Sequence, residues 1–126
     1  MGNPIVEKII KEGVNSVNLS MLDESSRKKI ISEAADKLYK SNNFIEAINI
    51  LSDENLTEEL AKMGEEFMHY RKYDFAALCF IPLKDKSKLN EVGINLIKDK
   101  NYKLAAESYK AAGNMQMADF IKTNFC

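Results

Sequence analysis

One offset organises this chain: slid against itself by 29 residues, it aligns three segments without a gap. The columns are Ile31/Leu60/Leu89, Ala34/Met63/Val92, Ala35/Gly64/Gly93, Leu38/Phe67/Leu96, Phe44/Tyr73/Tyr102, Ala47/Ala76/Ala105 and Leu51/Phe80/Tyr109. Every cell is apolar, aromatic or small. Hydrophobic residues make up only 45% of the chain, so such agreement is not a chance pattern. A fixed period of this size means a stacked supersecondary unit, because one such unit cannot bury its apolar face alone.

The spacing within the columns sets the unit. Ile31, Ala34, Ala35 and Leu38 fall on one face of a helix, as do their counterparts 29 and 58 residues on. The aromatic column opens a second helix, and the small columns mark close approach of the two. Gly within a helix costs roughly 1 kcal/mol relative to Ala, so Gly64 and Gly93 at one repeat position imply a steric demand. Turn residues fall between the two helices at Ser41-Asn42-Asn43, His69-Tyr70-Arg71-Lys72 and Asp99-Lys100-Asn101. The pattern predicts helices over 23–41, 44–52, 57–70, 73–82, 87–99 and 102–112. Asp53, Thr57, Asp85 and Ser87 are candidate N-caps, Pro82 stops the second helix of the middle repeat, and Gly113-Asn114 closes the last repeat.

A further helix is predicted from Met115 to Phe125, with Ala118, Ile121 and Phe125 in the columns of Leu89, Val92 and Leu96. At the other end Asn3-Pro4 opens a short helix that Gly13 closes. There Val6 and Ile9 keep register, but Asn15 and Asn18 occupy the aromatic and alanine positions. The expected organisation is one all-α domain over 1–126. It comprises a divergent N-terminal cap (1–22), repeats at 26–54, 55–83 and 84–112, and a C-terminal capping helix (114–126).

These residues resemble the tetratricopeptide-repeat superfamily over roughly residues 28–125. That family's pattern runs apolar, Leu-like, Gly or Ala, aromatic or Leu, then Tyr, Ala and Phe or Tyr in the second helix. The unit here is shorter than the usual 34 residues, and the closing Ala survives only as Ala112, with Glu54 and Leu83 in its place. The short unit also looks like the α-solenoids of coatomer, clathrin heavy chain and intraflagellar-transport subunits. The resemblance implies an α-α superhelix that acts as a non-enzymatic scaffold for a peptide or protein surface. The alternative is a piece of a larger coat or trafficking assembly, which would expose apolar surface near residues 1–22 or 115–126.

In that superfamily the first helices line the concave face. The positions turned away from the hairpin partner form three columns: Asp36, Glu65, Ile94; Tyr39, Met68, Ile97; and Lys40, His69, Lys98. Together they put an apolar stripe beside a partly basic one, a candidate groove for a segment with apolar anchors and acidic flanks. The stripe of Tyr39, Met68 and Ile97 is also readable as core between repeats. The carboxylate clamp of some tetratricopeptide proteins would fall on Ser32, Asp36, Lys62, Ser87 and Glu91, of which only Lys62 is basic.

Other chemistries find little footing. The single histidine, His69, follows Glu66 at Glu-x-x-His spacing, but di-iron helical sites need a second copy of that motif. Cys79 lies in the apolar run Ala76-Ala77-Leu78-Cys79-Phe80, where a thiol reads as a buried hydrophobe rather than a nucleophile. No phosphate-binding glycine loop occurs. No catalytic residue, cofactor or metal is therefore expected. Net charge is −1, so nothing calls for nucleic acid. Charge is uneven, however. Residues 46–66 carry seven acids against Lys62, and from Lys84 onward there are eight Lys and five acids. No apolar run reaches 18 residues, no secretory signal is evident, and two cysteines make no disulfide framework. The expectation is a cytoplasmic protein without membrane insertion, monomeric or weakly self-associating through its ends.

Overall fold

The computed structural model describes residues 2–126. Among these the chain is all-α, with eight helices and no strand. They are α1 (Pro4–Glu12), α2 (Glu24–Lys40), α3 (Phe44–Asp53), α4 (Thr57–His69), α5 (Tyr73–Leu83), α6 (Lys86–Lys98), α7 (Tyr102–Ala111) and α8 (Met115–Phe125). The helices predicted from the 29-residue pattern lie within two residues of these bounds. Two single 3-10 turns, Val14–Ser16 and Leu19–Met21, fill the segment before α2 and tuck in Leu19, which is buried. The chain divides into two compact units, residues up to Glu59 and residues from Leu60, with the division inside α4.

In the first unit α1 packs on α2 and α2 on α3. Asn3 Oδ1 accepts the Ile5 N–H at 2.8 Å and Pro4 occupies the first helical turn, so α1 starts where the sequence places it. Gly13 ends it at φ 96°, a backbone conformation that favours glycine. The core joins Val6 and Ile9 to Ile31, Ala34, Ala35 and Leu38 of α2 and to Ala47, Ile48, Ile50 and Leu51 of α3, all buried. Each fully buried aliphatic side chain contributes about 1.5–3 kcal/mol. Arg27 Nε and Nη2 donate to Glu54 Oε1 at 2.9 and 2.7 Å, tying the start of α2 to the residue after α3.

In the second unit the hairpins α4–α5 and α6–α7 repeat the arrangement, and α8 packs on α7. Phe67, Phe80, Leu89 and Leu96 are fully buried. The demand for glycine has a specific cause. A Cβ on Gly64 would stand 2.7 Å from Phe80 Cζ, and one on Gly93 would stand 2.6 Å from Tyr109 Cε2. The glycines give the aromatic rings of the second helices their seats. Ala118 and Ile121 of α8 are buried as their register predicts, but Phe125 is not. It is half-exposed and stacks on Tyr102, with ring centroids 4.5 Å apart.

The period is written into the backbone as well. Asn42, Arg71 and Lys100, which end the first helices, all have left-handed φ of 59–66°. Asn55, Lys84 and Gly113, which end the second helices, also have positive φ, and each set is spaced by 29 residues. The closing hydrogen bonds recur too. The N–H groups of Asn43, Lys72 and Asn101 donate to the carbonyls of Leu38, Phe67 and Leu96, each at 2.8 Å. This is the Schellman closure, which satisfies carbonyls that a helix end would otherwise orphan.

Two local expectations need correction. Pro82 does not stop α5; it lies inside the helix, which runs to Leu83 and ends on left-handed Lys84. A proline removes the bond to the carbonyl four residues before it, yet leaves its neighbours free to complete the turn. Of the four candidate N-caps only Asp85 caps, its Oδ1 accepting the Lys88 N–H at 3.2 Å. Asp53 is the last residue of α3, while Thr57 and Ser87 lie in the first turns of α4 and α6. Asp23 and Asn114 supply two further caps, accepting from the N–H groups of Ser26 at 2.7 Å and Met117 at 3.1 Å. The bond from Ser26 holds the Asp23 carboxyl below the usual carboxylate range.

Candidate partner-binding surfaces

The nine candidate groove residues fall in both units. In the first, Asp36 and Lys40 face each other one helical turn apart at 2.8 Å, and this hydrogen bond raises the Lys40 ammonium pKa above its ordinary value. Both side chains stay exposed, so the pair adds little to stability. Tyr39 is half-buried, and its ring packs on Phe44 at 5.3 Å between centroids. It thereby serves the α2–α3 hairpin.

In the second unit Glu65 of α4 accepts from Lys88 Nζ of α6 at 2.7 Å, which ties two first helices together. That hydrogen bond raises the Lys88 pKa, and Glu91 stands 3.9 Å from the same ammonium. Met68 and Ile97 are half-buried, Ile94 is 51% exposed, and His69 and Lys98 are exposed. The apolar stripe is thus neither sealed like Phe67 and Leu96 nor open along its length. His69 meets Tyr70 edge-on at 5.0 Å. Of the positions matching a carboxylate clamp, Ser32 is already engaged, its hydroxyl donating to the Glu59 carboxylate at 2.6 Å.

Cys79 is fully buried, and desolvation pushes its thiol up to about 12. Almost no thiolate then exists near neutral pH, so the residue behaves as a small apolar side chain. Its repeat counterparts Ile50 and Ser108 are buried too, and Ser108 satisfies its hydroxyl on the Leu104 carbonyl at 2.8 Å. Among the described residues no group of three or more His, Cys, Asp or Glu is placed to hold a metal ion. No helix among them is long and apolar enough to cross a membrane.

Among the described residues, clefts also lie outside the candidate groove. One, of about 500 Å³ in the first unit, runs between the start of α2 and the residues joining α3 to α4, with Asp53, Glu54, Glu58 and Glu59 against Arg27 and Lys28. Another, of about 710 Å³ in the second unit, lies along α7 and α8, with an aromatic floor of Tyr102 and Phe125 under a fringe of lysines. Neither stands out in the aligned columns. The lysine excess after Lys84 is the one sequence signal for the second, and it does not say which of those lysines meet. Only the packing of α8 on α7 sets Lys122 and Phe125 beside Tyr102.

No family model matches the chain, and neither a curated protein nor a solved structure matches it.

Proposed function

We propose that this chain is a non-enzymatic protein-interaction scaffold of the tetratricopeptide-like α-solenoid type, binding a peptide or protein segment through its first helices. The observation that carries the reading is the contrast along α4 and α6. The hairpin-facing Leu60, Phe67, Leu89 and Leu96 are buried, whereas Ile94 is half-exposed and Met68 and Ile97 are only half-buried. Apolar side chains left open at helical spacing are anchors of the kind a bound segment uses. The recurrence of the left-handed helix ends at 29-residue spacing supports a stack of like units.

Peptide-display selection against the chain, repeated with a Met68→Glu/Ile94→Glu variant of unchanged melting temperature, tests the proposal. Selected peptides should bind the wild type and lose the variant. If they bind both alike, the first-helix face is not the docking surface.

A second reading, a structural segment of a larger coat-type assembly, is favoured by one observation. Met115, Phe120 and Phe125 of α8 each expose about half of their surface. Under that reading the sedimentation coefficient rises with protein concentration, and a concentration-independent monomer counts against it.

A further inference from the structure

The cleft along α7 and α8 brings together two kinds of residue, aromatic and basic. Tyr102 opens α7 and Phe125 is the last residue of α8; their rings lie nearly parallel, 14° apart in plane, and Phe125 leaves 48% of its surface to solvent. Ala106, one turn into α7, lines the cleft beside them and is itself buried. Around this floor stand Lys100, Lys103, Lys110 and Lys122. Lys103 and Lys110 are seven residues apart on one face of α7, and Lys100 projects from the left-handed turn before it. All four are exposed, and none is in an ion pair among the described residues. Glu107 is the one acidic side chain among the lining residues.

Four unpaired ammonium groups around an open aromatic floor attract an anion that also carries an apolar group. We infer that the α7–α8 cleft docks an acidic peptide segment whose aromatic or aliphatic side chain inserts over Tyr102 and Phe125. The volume of about 710 Å³ suits one or two inserted side chains rather than a folded surface. The lysines steer the segment and select against basic partners, and the rings hold the anchor. Nucleic acid fits the cleft less well. Its wall carries no arginine, the residue that pairs with phosphate in fork geometry and stacks on bases. This surface is separate from the first-helix face and does not depend on it.

The test is fluorescence anisotropy of a labelled nonapeptide of Glu and Asp with one central Phe, titrated with the full chain. The Lys103→Glu/Lys110→Glu variant should weaken binding at least about tenfold, since each reversal replaces an attraction by a repulsion. Phe125→Ser should weaken it several-fold, as should replacing the peptide's Phe by Ser. Lys84→Glu/Lys86→Glu, with the same change of net charge at exposed positions that do not line the cleft, should leave affinity within about twofold. Circular dichroism checks that each variant is folded. Nitrogen-15 shift mapping on the wild type gives an independent reading, with the largest changes expected at Tyr102, Ala106 and Phe125. Equal weakening by both lysine pairs, or shift changes centred elsewhere, overturns the assignment. So does self-association abolished by Lys103→Glu/Lys110→Glu, which gives the cleft to a second copy. Binding to phosphatidylserine vesicles without binding to the peptide overturns it as well.

Discussion

The hairpin α2–α3 and the hairpins α4–α5 and α6–α7 meet the same packing requirement with different side chains. In the first, the small column holds Ala35 and the last column Leu51, both buried. In the other two the small column holds Gly64 and Gly93, and the last column holds Phe80 and Tyr109. The rings sit so close to the first helix that a single added methyl would fall under 3 Å from them. A branched aliphatic side chain tolerates Ala opposite it; a ring demands Gly. The lesson is that the two columns form one reciprocal unit, and that the intrinsic helix cost of Gly, about 1 kcal/mol, is offset by the larger apolar surface of the ring.

Cys79 sets up the sharpest contrast, because its column holds Ile50 in the first hairpin and Ser108 in the third. Only the middle hairpin carries a group there that ionises in the alkaline range. Burial raises the thiol from an ordinary value of 9.0 to about 12, so the folded state holds the proton that the unfolded state releases. The thiol's contribution is fully present below pH 9 and is lost as pH rises toward 12, the loss approaching about 4 kcal/mol at the top of that window. Urea unfolding at pH 8, 10 and 11 should therefore show a steeper loss in the wild type than in Cys79→Ala. Parallel curves would remove the thiol from the account. At pH 8 a thiol reagent should label exposed Cys126 promptly and Cys79 only after unfolding.

Breaking the reciprocal unit directly comes next in size. Gly93→Ala and Gly64→Ala should each destabilise by about 2 kcal/mol, overpacking outweighing the gain in helix propensity. Leu51→Phe should do the same against Ala35. Restoring the pairing should recover much of the loss. Gly93→Ala/Tyr109→Leu and Ala35→Gly/Leu51→Phe should show coupling energies of about 1–2 kcal/mol in double-mutant cycles. Strict additivity would sever the link between the two columns.

The smallest expected effect concerns the helix ends. Arg71 and Lys84 hold left-handed conformations at which Gly113 is unstrained. Arg71→Gly and Lys84→Gly should each raise stability by about 0.5–1 kcal/mol, and Asn42→Gly by less, because Asn visits that region more readily. Gly113→Ala should lower it by a similar amount. Thermal melts resolve these differences.

Much of this architecture is legible in the sequence. The seven columns placed six helices and the extra C-terminal one, since burial at 3.6-residue periodicity leaves its mark in every repeat. Of the left-handed ends, Gly113 was legible, but Arg71, Lys84 and Lys100 were not, because they carry none of the glycine signal that announces such turns. The 3-10 turns before α2 were missed for a related reason: three-residue turns bury too little to impose a pattern. The candidate groove was legible as columns, but its openness was not. Tyr39, Met68 and Ile97 share a register position, yet Tyr39 packs on Phe44 while Ile94, three residues before Ile97, stands half-exposed.

What the sequence alone determined is therefore the repeat: its length, its helices, and the small positions where backbones approach. Those follow from local periodicity and from the conformational rules of Gly, Asn and Pro, which act within one turn. What only the tertiary structure decided is which small residue faces which ring, and which charged and aromatic side chains meet. Gly93 finds Tyr109, Phe125 finds Tyr102, and Lys122 joins Lys103 and Lys110 at one cleft. Those encounters depend on the rotation and separation of packed helices. They are set by the sum of many buried contacts and not by the spacing of any residues along the chain.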